Sequence, residues 1–413
     1  MPEPTAPAVF LTPHLMNTYR RPPVVFVAGQ GCWLTDSDGR RYLDFLSGIG
    51  VNALGHAHPR LQAVISAQAA RLIHVSNLYH HPYQEPLAAR LAELSGLDRV
   101  FFTNSGTEAI EAALKLARLW ARQNGRSATR WLAVEGSFHG RTFGALSVTW
   151  PEAYREPFEP LVPGVDFVAF DDVADLERKF DDGVCAVVVE PVQGEGGIRP
   201  VSRGFWQRAR ALTARSGALL IADEIQCGLG RTGSWFAWQR LGEAPDVITL
   251  AKPLAGGLPL GAVLARGDVA GVLKPGLHGS TFGGGPLACA VALEVLRIIE
   301  EENLLENIRV RGAQLRAGLE AIAAGCGLVR EVRGEGLMLG IELRVPGGAL
   351  VERALEAGLL INCTHECVLR LLPPYIVTAA DVDAFLERLA TVLARAETEQ
   401  AAAAGSGAAG GSS

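Results

Sequence analysis

Short apolar runs alternate with stretches of helical spacing through the middle of the chain. Seven runs read as strands, at residues 100–103, 131–135, 165–170, 185–190, 218–222, 247–251 and 261–265. They are nearly continuous in hydrophobicity, as in strands buried on both faces. Helical stretches separate several of them, which predicts a mostly parallel sheet covered by helices on both sides. Upstream, residues 59–72 and 84–95 show helical spacing, and residues 32–45 read as a hairpin turning at Asp38-Gly39. Downstream, helix is expected from Pro286 towards Glu301 and on to about Ala324, followed by strands at 329–332, 337–343 and 368–372 and a closing helix over 379–395. These suit a smaller α+β domain. Residues 1–30 are Pro-rich and read as an arm, and the Ala/Gly/Ser tail 401–413 is expected to be disordered.

A chain of 413 residues needs more than one core. The expected division is an arm and hairpin at 1–58 belonging to the small domain, a large domain at 59–300, a C-terminal small domain at 301–399 and a tail from 400. The fold class is α/β.

Composition excludes some functions. Hydrophobic residues make up 48 % and charged residues 20 %, as in an ordinary globular protein. A net charge of −6 without any basic block argues against nucleic acid as the main partner. No apolar run approaches the roughly 18 residues that span a membrane. Residues 1–15 contain no Lys or Arg, so no signal peptide is read and the cytoplasm is expected. Seven scattered cysteines suit reduced thiols. Cys363, His365 and Cys367 would share one face of a strand, but no second cluster completes a tetrahedral set, and no metal is expected. His56 and His58 read as residues that cap or pack a loop.

Two of the buried runs end on a single charged residue, Asp223 and Lys252. Ends of buried strands are where an open α/β sheet places ligand chemistry. Of the 38 Lys and Arg residues only Lys115, Lys179, Lys252 and Lys274 are Lys, and only Lys252 ends a buried strand. Lys can lose its proton and act as a nucleophile, whereas Arg cannot. Ser105 and Glu108 fit a capping box, and Gly106 at the first helical position would open the helix N-terminus to phosphate. Phe138 and Arg141 follow a strand end, as a stacking face and a carboxylate fork. Glu195 lies on a Gly-rich loop, and Arg370 sits in an apolar segment where it needs an anionic partner. Gly228-Leu-Gly-Arg-Thr-Gly233 matches a dinucleotide fingerprint, but no convincing helix start follows it. A nicotinamide dehydrogenase and a non-catalytic binding protein are the rival classes. The whole set fits pyridoxal phosphate chemistry, in which a Lys forms a Schiff base and an acid pairs with the pyridinium nitrogen.

The ordered motifs Ser105-Gly-Thr107, Phe138-His-Gly-Arg141, Glu190-Pro-Val-Gln-Gly-Glu195, Asp223-Glu-Ile-Gln226, Lys252-Pro253, Ser280-Thr281 and Arg370 resemble the class III aminotransferases, from about Thr18 to Ala394. The resemblance implies the fold-type-I pyridoxal phosphate fold, with a large seven-stranded domain, a smaller α+β domain and a homodimer sharing active sites at its interface. It implies that Lys252 holds the cofactor and moves a proton, and that Asp223 pairs with the ring nitrogen. Ser105, Gly106, Thr107, Phe138, Glu224, Ile225 and Gln226 complete the cofactor site, with Thr281 reaching in from the partner subunit. Arg141, Glu195, Ser280 and Arg370 would bind the small-molecule amino donor and 2-oxoglutarate. Glu195 would pair with Arg370 in one half-reaction and release it in the other. Family members that take free ornithine usually carry a Tyr where Gly48 aligns here, which argues for a blocked α-amine and hence N-acetylornithine. Lysine precursors, ornithine, succinylornithine and 4-aminobutyrate are the alternatives.

Overall fold

The computed structural model describes residues 14 to 409. The chain opens on strands β1 (Phe26–Gln30), β2 (Trp33–Asp36) and β3 (Arg41–Asp44). The turn between the last two contains Gly39 at φ +80°, a conformation glycine adopts without steric cost. β1 lies within the stretch read as an arm. It is a sheet edge and mostly exposed, so it carries little apolar signal.

Seven strands follow as one sheet: β4 (Arg99–Thr103), β5 (Arg130–Val134), β6 (Val165–Val168), β7 (Val184–Val189) and, after the small pair β8 (Val192–Gln193) and β9 (Arg199–Pro200), β10 (Leu219–Asp223), β11 (Val247–Leu250) and β12 (Gly261–Ala265). Their order is β4-β12-β11-β10-β7-β5-β6, and β12 alone runs antiparallel to its neighbours. Alternate residues of β10 enter different cores. Leu220 and Ala222 pack with Phe205 and Trp206, while Leu219 and Ile221 pack with Ile110 and Trp131. That two-sided burial is why the strand reads as a continuous apolar run.

A third core joins the two ends of the chain. Here β13 (Val329–Glu335), β14 (Met338–Leu343), β15 (Leu359–Leu360), β16 (Asn362–Thr364) and β17 (Val368–Leu371) pack against helices, one of which, Gly348–Glu356, links β14 to β15. β15 pairs with β3 in the N-terminal sheet, and Phe45 stacks on Phe385 with centroids 3.9 Å apart. The closing helix runs Ala379–Ala409, well past residue 395 and into the tail read as disordered. Alanine, the strongest helix former, fills residues 401–404 and carries the helix on. Residues 1–13 of the expected arm and 410–413 of the tail lie outside the described residues.

All seven cysteines are free thiols. The alternation expected over Cys363, His365 and Cys367 is broken, because His365 and Glu366 form a turn at φ +47° and +59° between β16 and β17. Among the described residues no group of His, Cys, Asp or Glu is arranged to hold a metal ion, and no helix is long and apolar enough to cross a membrane. His56 bonds Asp44 at 2.8 Å, and His58 lies 3.7 Å from Glu302.

Candidate active site

The parallel strands deliver their C-terminal ends to one edge of the sheet, and a cavity of about 410 Å³ lies there. Asp223 ends β10, Lys252 follows β11, Glu190 follows β7, and the segment after β5 brings Phe138 to Arg141. After β4 the chain turns into the helix Gly106–Gln123. Ser105 caps it, its side chain accepting the Glu108 N–H at 3.4 Å. Glu108 reaches back one residue further than a capping box requires, accepting the Asn104 N–H at 2.9 Å. Gly106 and Thr107 line the cavity at the helix N-terminus, where first-turn N–H groups have no intrahelical partner. A Cβ on Gly106 would lie 2.8 Å from Ile225 Cδ1, and one on Gly140 would lie 2.2 Å from Thr107 Oγ1. Side chains there would fill the cradle.

Lys252 has φ +28°, a strained conformation for a residue with a Cβ. Burial holds its amine below the ordinary lysine range, and nearby Arg370 lowers it further, while Glu195, Asp223 and Glu190 oppose both. Asp223 is anchored on both oxygens. Oδ2 meets His139 Nδ1 at 2.7 Å, while Oδ1 accepts from Thr249 Oγ1 at 3.2 Å and from the Ile225 N–H at 3.1 Å. Burial works against a proton on His139, but the hydrogen bond and charge of Asp223, with Glu190 beyond, outweigh it and raise the imidazole above its usual value. Glu190 accepts the Phe138 N–H on one oxygen and the Gly194 N–H on the other, both at 2.9 Å. Burial pushes its carboxyl up to about 7, with Asp223 adding and His139 opposing.

Phe138, Ile225, Gln226, Arg141 and Glu195 also line the cavity. Arg370 is fully buried and bonded to Glu195, and it also donates to Gln226 Oε1 at 3.2 Å and to Asn362 Oδ1 at 3.1 Å. Burial raises the Glu195 carboxyl, but the Arg370 charge and hydrogen bond more than reverse that and lower it. Thr364 Oγ1 donates to the Glu195 carbonyl at 2.6 Å. Arg141 makes no ion pair among the described residues and lies over the Tyr154 ring.

Two expected placements differ. Glu224, expected among the cofactor residues, is buried away from the cavity, and its carboxylate accepts the Ala237 and Trp238 N–H groups at 2.9 and 2.7 Å. It is a loop anchor, because those two amides have no sheet partner. Ser280, expected with Arg141, does not line the Lys252 cavity of its own chain. With Thr281 it lines a neighbouring cavity of about 690 Å³, and Asn104 Nδ2 donates to its hydroxyl at 3.2 Å. The Gly228–Gly233 loop packs around Arg231, which is buried and donates to the Leu337 carbonyl at 3.2 Å. It opens no phosphate-binding helix.

The sequence reading missed His139 and Glu190, although both lie inside motifs it quoted. The signal for Glu190 was a polar side chain at the end of a buried strand, which implies a partner, whereas His139 lies in the loop beyond β5 and carried no such signal. Tyr154 carried no signal.

The residues fit pyridoxal phosphate. A helix N-terminus lies at one end of the cavity, a carboxylate and a neutralisable amine lie within it, and an aromatic and a branched aliphatic side chain line its walls.

Comparison with known proteins agrees. Residues 15–393 match the family described as aminotransferase class-III. The chain is 51 % identical over 381 residues to acetylornithine aminotransferase 1 of Bordetella pertussis, covering 92 % of this chain and 97 % of that one. Among solved structures, ornithine aminotransferase of Toxoplasma gondii superposes with a TM-score of 0.90 at 37 % identity, covering 94 % of each chain. N-acetylornithine aminotransferase of Stenotrophomonas maltophilia superposes at 0.80, also at 37 % identity, covering 90 % of this chain and 96 % of that one.

Proposed function

The chain belongs to the class III aminotransferases, and we propose that it exchanges the δ-amine of N-acetylornithine with 2-oxoglutarate. The products are N-acetylglutamate semialdehyde and glutamate, and the reaction serves arginine biosynthesis. The observation that carries this reading is the asymmetry of two arginines. Among the described residues Arg141 lines the cavity without an ion pair, whereas Arg370 is buried beneath Glu195. A donor whose carboxylate is remote from its reacting amine meets Arg141. A donor whose carboxylate adjoins the reacting carbon needs Arg370, and Glu195 must first release it.

Bound pyridoxal phosphate supplies an electron sink beside the amine-bearing carbon. Around it, Lys252 Nζ would hold the cofactor and would be the group that accepts and returns the proton of that carbon. Its lowered basicity keeps a neutral fraction for that work. Asp223 would pair with the ring nitrogen and favour a proton there by opposite charge. His139 and Thr249 fix the angle of that carboxylate. Phe138 and Ile225 would pack on the two ring faces and exclude water, and Gly106 and Thr107 would bind the phosphate.

Half-reactions followed in the visible spectrum test the reading. N-acetylornithine should bleach the cofactor band fastest among N-acetylornithine, ornithine, N-acetyl-lysine and 4-aminobutyrate, and 2-oxoglutarate should restore it. Faster bleaching by another amine would reassign the substrate. Ornithine is the runner-up, but a shared fold does not decide between substrates.

A homodimer is the assembly we assign. Leu78 and Phe282, 85 % and 67 % exposed, lie beside the cavity lined by Ser280 and Thr281, as an apolar surface awaiting a second copy would. Sedimentation at a monomer mass would overturn this. We assign the cytoplasm, since seven free thiols suit a reducing compartment.

A further inference from the structure

Arg141 has no carboxylate partner among the described residues, yet its position is defined at two points. Its backbone N–H donates to Thr107 Oγ1 at 3.2 Å. Its guanidinium carbon lies 3.6 Å from the centroid of Tyr154 and 5.6 Å from that of Phe138. The two rings meet edge to face, with centroids 6.4 Å apart and planes at 88°. Tyr154 is half-buried on the short helix Glu152–Arg155. That helix is pinned on both sides to Phe167 of β6. The Trp150 ring meets Phe167 edge-on at 5.0 Å, and the Arg155 guanidinium lies 4.8 Å from its centroid. The backbone that carries Tyr154 is thereby held against β6, with its ring set against Phe138.

We infer that Tyr154 is a positioning residue that sets specificity for the donor with a remote carboxylate, by stacking the Arg141 guanidinium over its face. Stacking uses the π face of the guanidinium and leaves its in-plane N–H groups to fork a carboxylate. It also fixes side-chain torsions that a substrate would otherwise have to order on binding. The contact belongs to Arg141 alone, because Arg370 is held by Glu195, Gln226 and Asn362. Loss of the platform should weaken binding of N-acetylornithine, and of glutamate through its side-chain carboxylate, while leaving the proton transfer itself untouched. This inference rests on the proposed use of Arg141 for N-acetylornithine.

The test compares the two half-reactions of the holoenzyme by stopped flow. Tyr154→Leu should raise the half-saturating N-acetylornithine concentration by roughly three- to thirtyfold, the range of a partly desolvated cation–π contact. The limiting rates of both half-reactions should stay within about twofold, since the proton transfer does not use the contact. Tyr154→Phe should restore the wild-type constant. Pentafluorophenylalanine at position 154, which keeps the ring shape but reverses its quadrupole, should raise it again, and this isosteric pair decides the matter even if Tyr154→Leu does not fold. In an Arg141→Ala background Tyr154→Leu should cost nothing further. A fall in either limiting rate in place of weaker binding, or a pentafluorophenylalanine enzyme matching Tyr154→Phe, would overturn the inference. A wild-type enzyme that N-acetylornithine fails to bleach would instead overturn the substrate assignment.

Discussion

Glu195, itself partly exposed, covers the buried Arg370 in an ion pair, and Thr364 holds the backbone of Glu195 in place. One carboxylate thus decides whether the deeper guanidinium is available. Glu195→Gln keeps the side chain's shape but removes its charge, and a charge-assisted bond weakens towards a neutral one. Reaction through α-amines should then improve on the order of tenfold relative to N-acetylornithine, measured as the ratio of the two half-reaction rates. An unchanged ratio would sink the gating role.

Lys252→Ala removes the amine that holds the cofactor and the group that moves the proton. Turnover should fall by at least about 10²–10⁴-fold, the usual share of a positioned proton-transfer group. Borohydride should attach the cofactor to wild-type protein and leave the variant unlabelled, which mass spectrometry of the peptide spanning residue 252 would read directly.

The His139–Asp223 bond makes a pH-dependent contribution to stability. Its imidazole has a folded value above its unfolded one, so the native state binds that proton more tightly. The stabilisation is fully present below the unfolded value of about 6.5 and is lost as pH rises through the raised folded value. The melting-temperature gap between wild type and His139→Gln should therefore be widest in mild acid and narrow as the solution turns alkaline. A gap that widens with pH would show that the ring is held neutral.

Gly140 has φ +137° and lies against Thr107, whose hydroxyl also accepts the Arg141 and Thr142 N–H groups at 3.2 Å. Gly140→Ala places a methyl where Thr107 Oγ1 stands and forces a backbone conformation alanine resists. A loss of more than about 1 kcal/mol of stability is expected, together with weaker retention of pyridoxal phosphate on dialysis. Unchanged retention would separate Thr107 from the phosphate cradle.

The sequence alone determined the seven-stranded layout and the charged strand ends. Buried strands must be apolar on both faces, so a lone Asp223 or Lys252 at such an end stands out against its run. It also exposed the capped helix at Ser105, because caps are local chemistry. Edge strand β1 and the Ala-rich end of the last helix escaped, the first for lack of an apolar face and the second because low complexity resembles disorder.

Only the tertiary structure decided which side chains meet. Glu224 and Gln226 are two residues apart in one motif, yet Glu224 is taken up by the Ala237 and Trp238 amides while Gln226 faces the cavity. His139 meets Asp223 across 84 residues, whereas the Arg370–Glu195 pair, across 175, was implied by the family resemblance and not by residue spacing. Tyr154 lies under Arg141 because the short helix bearing it is anchored to β6. Residue spacing records local geometry, whereas partners separated by whole strands are chosen by how the sheet stacks its edges. That is why the chemistry could be read from the chain but the pairing could not.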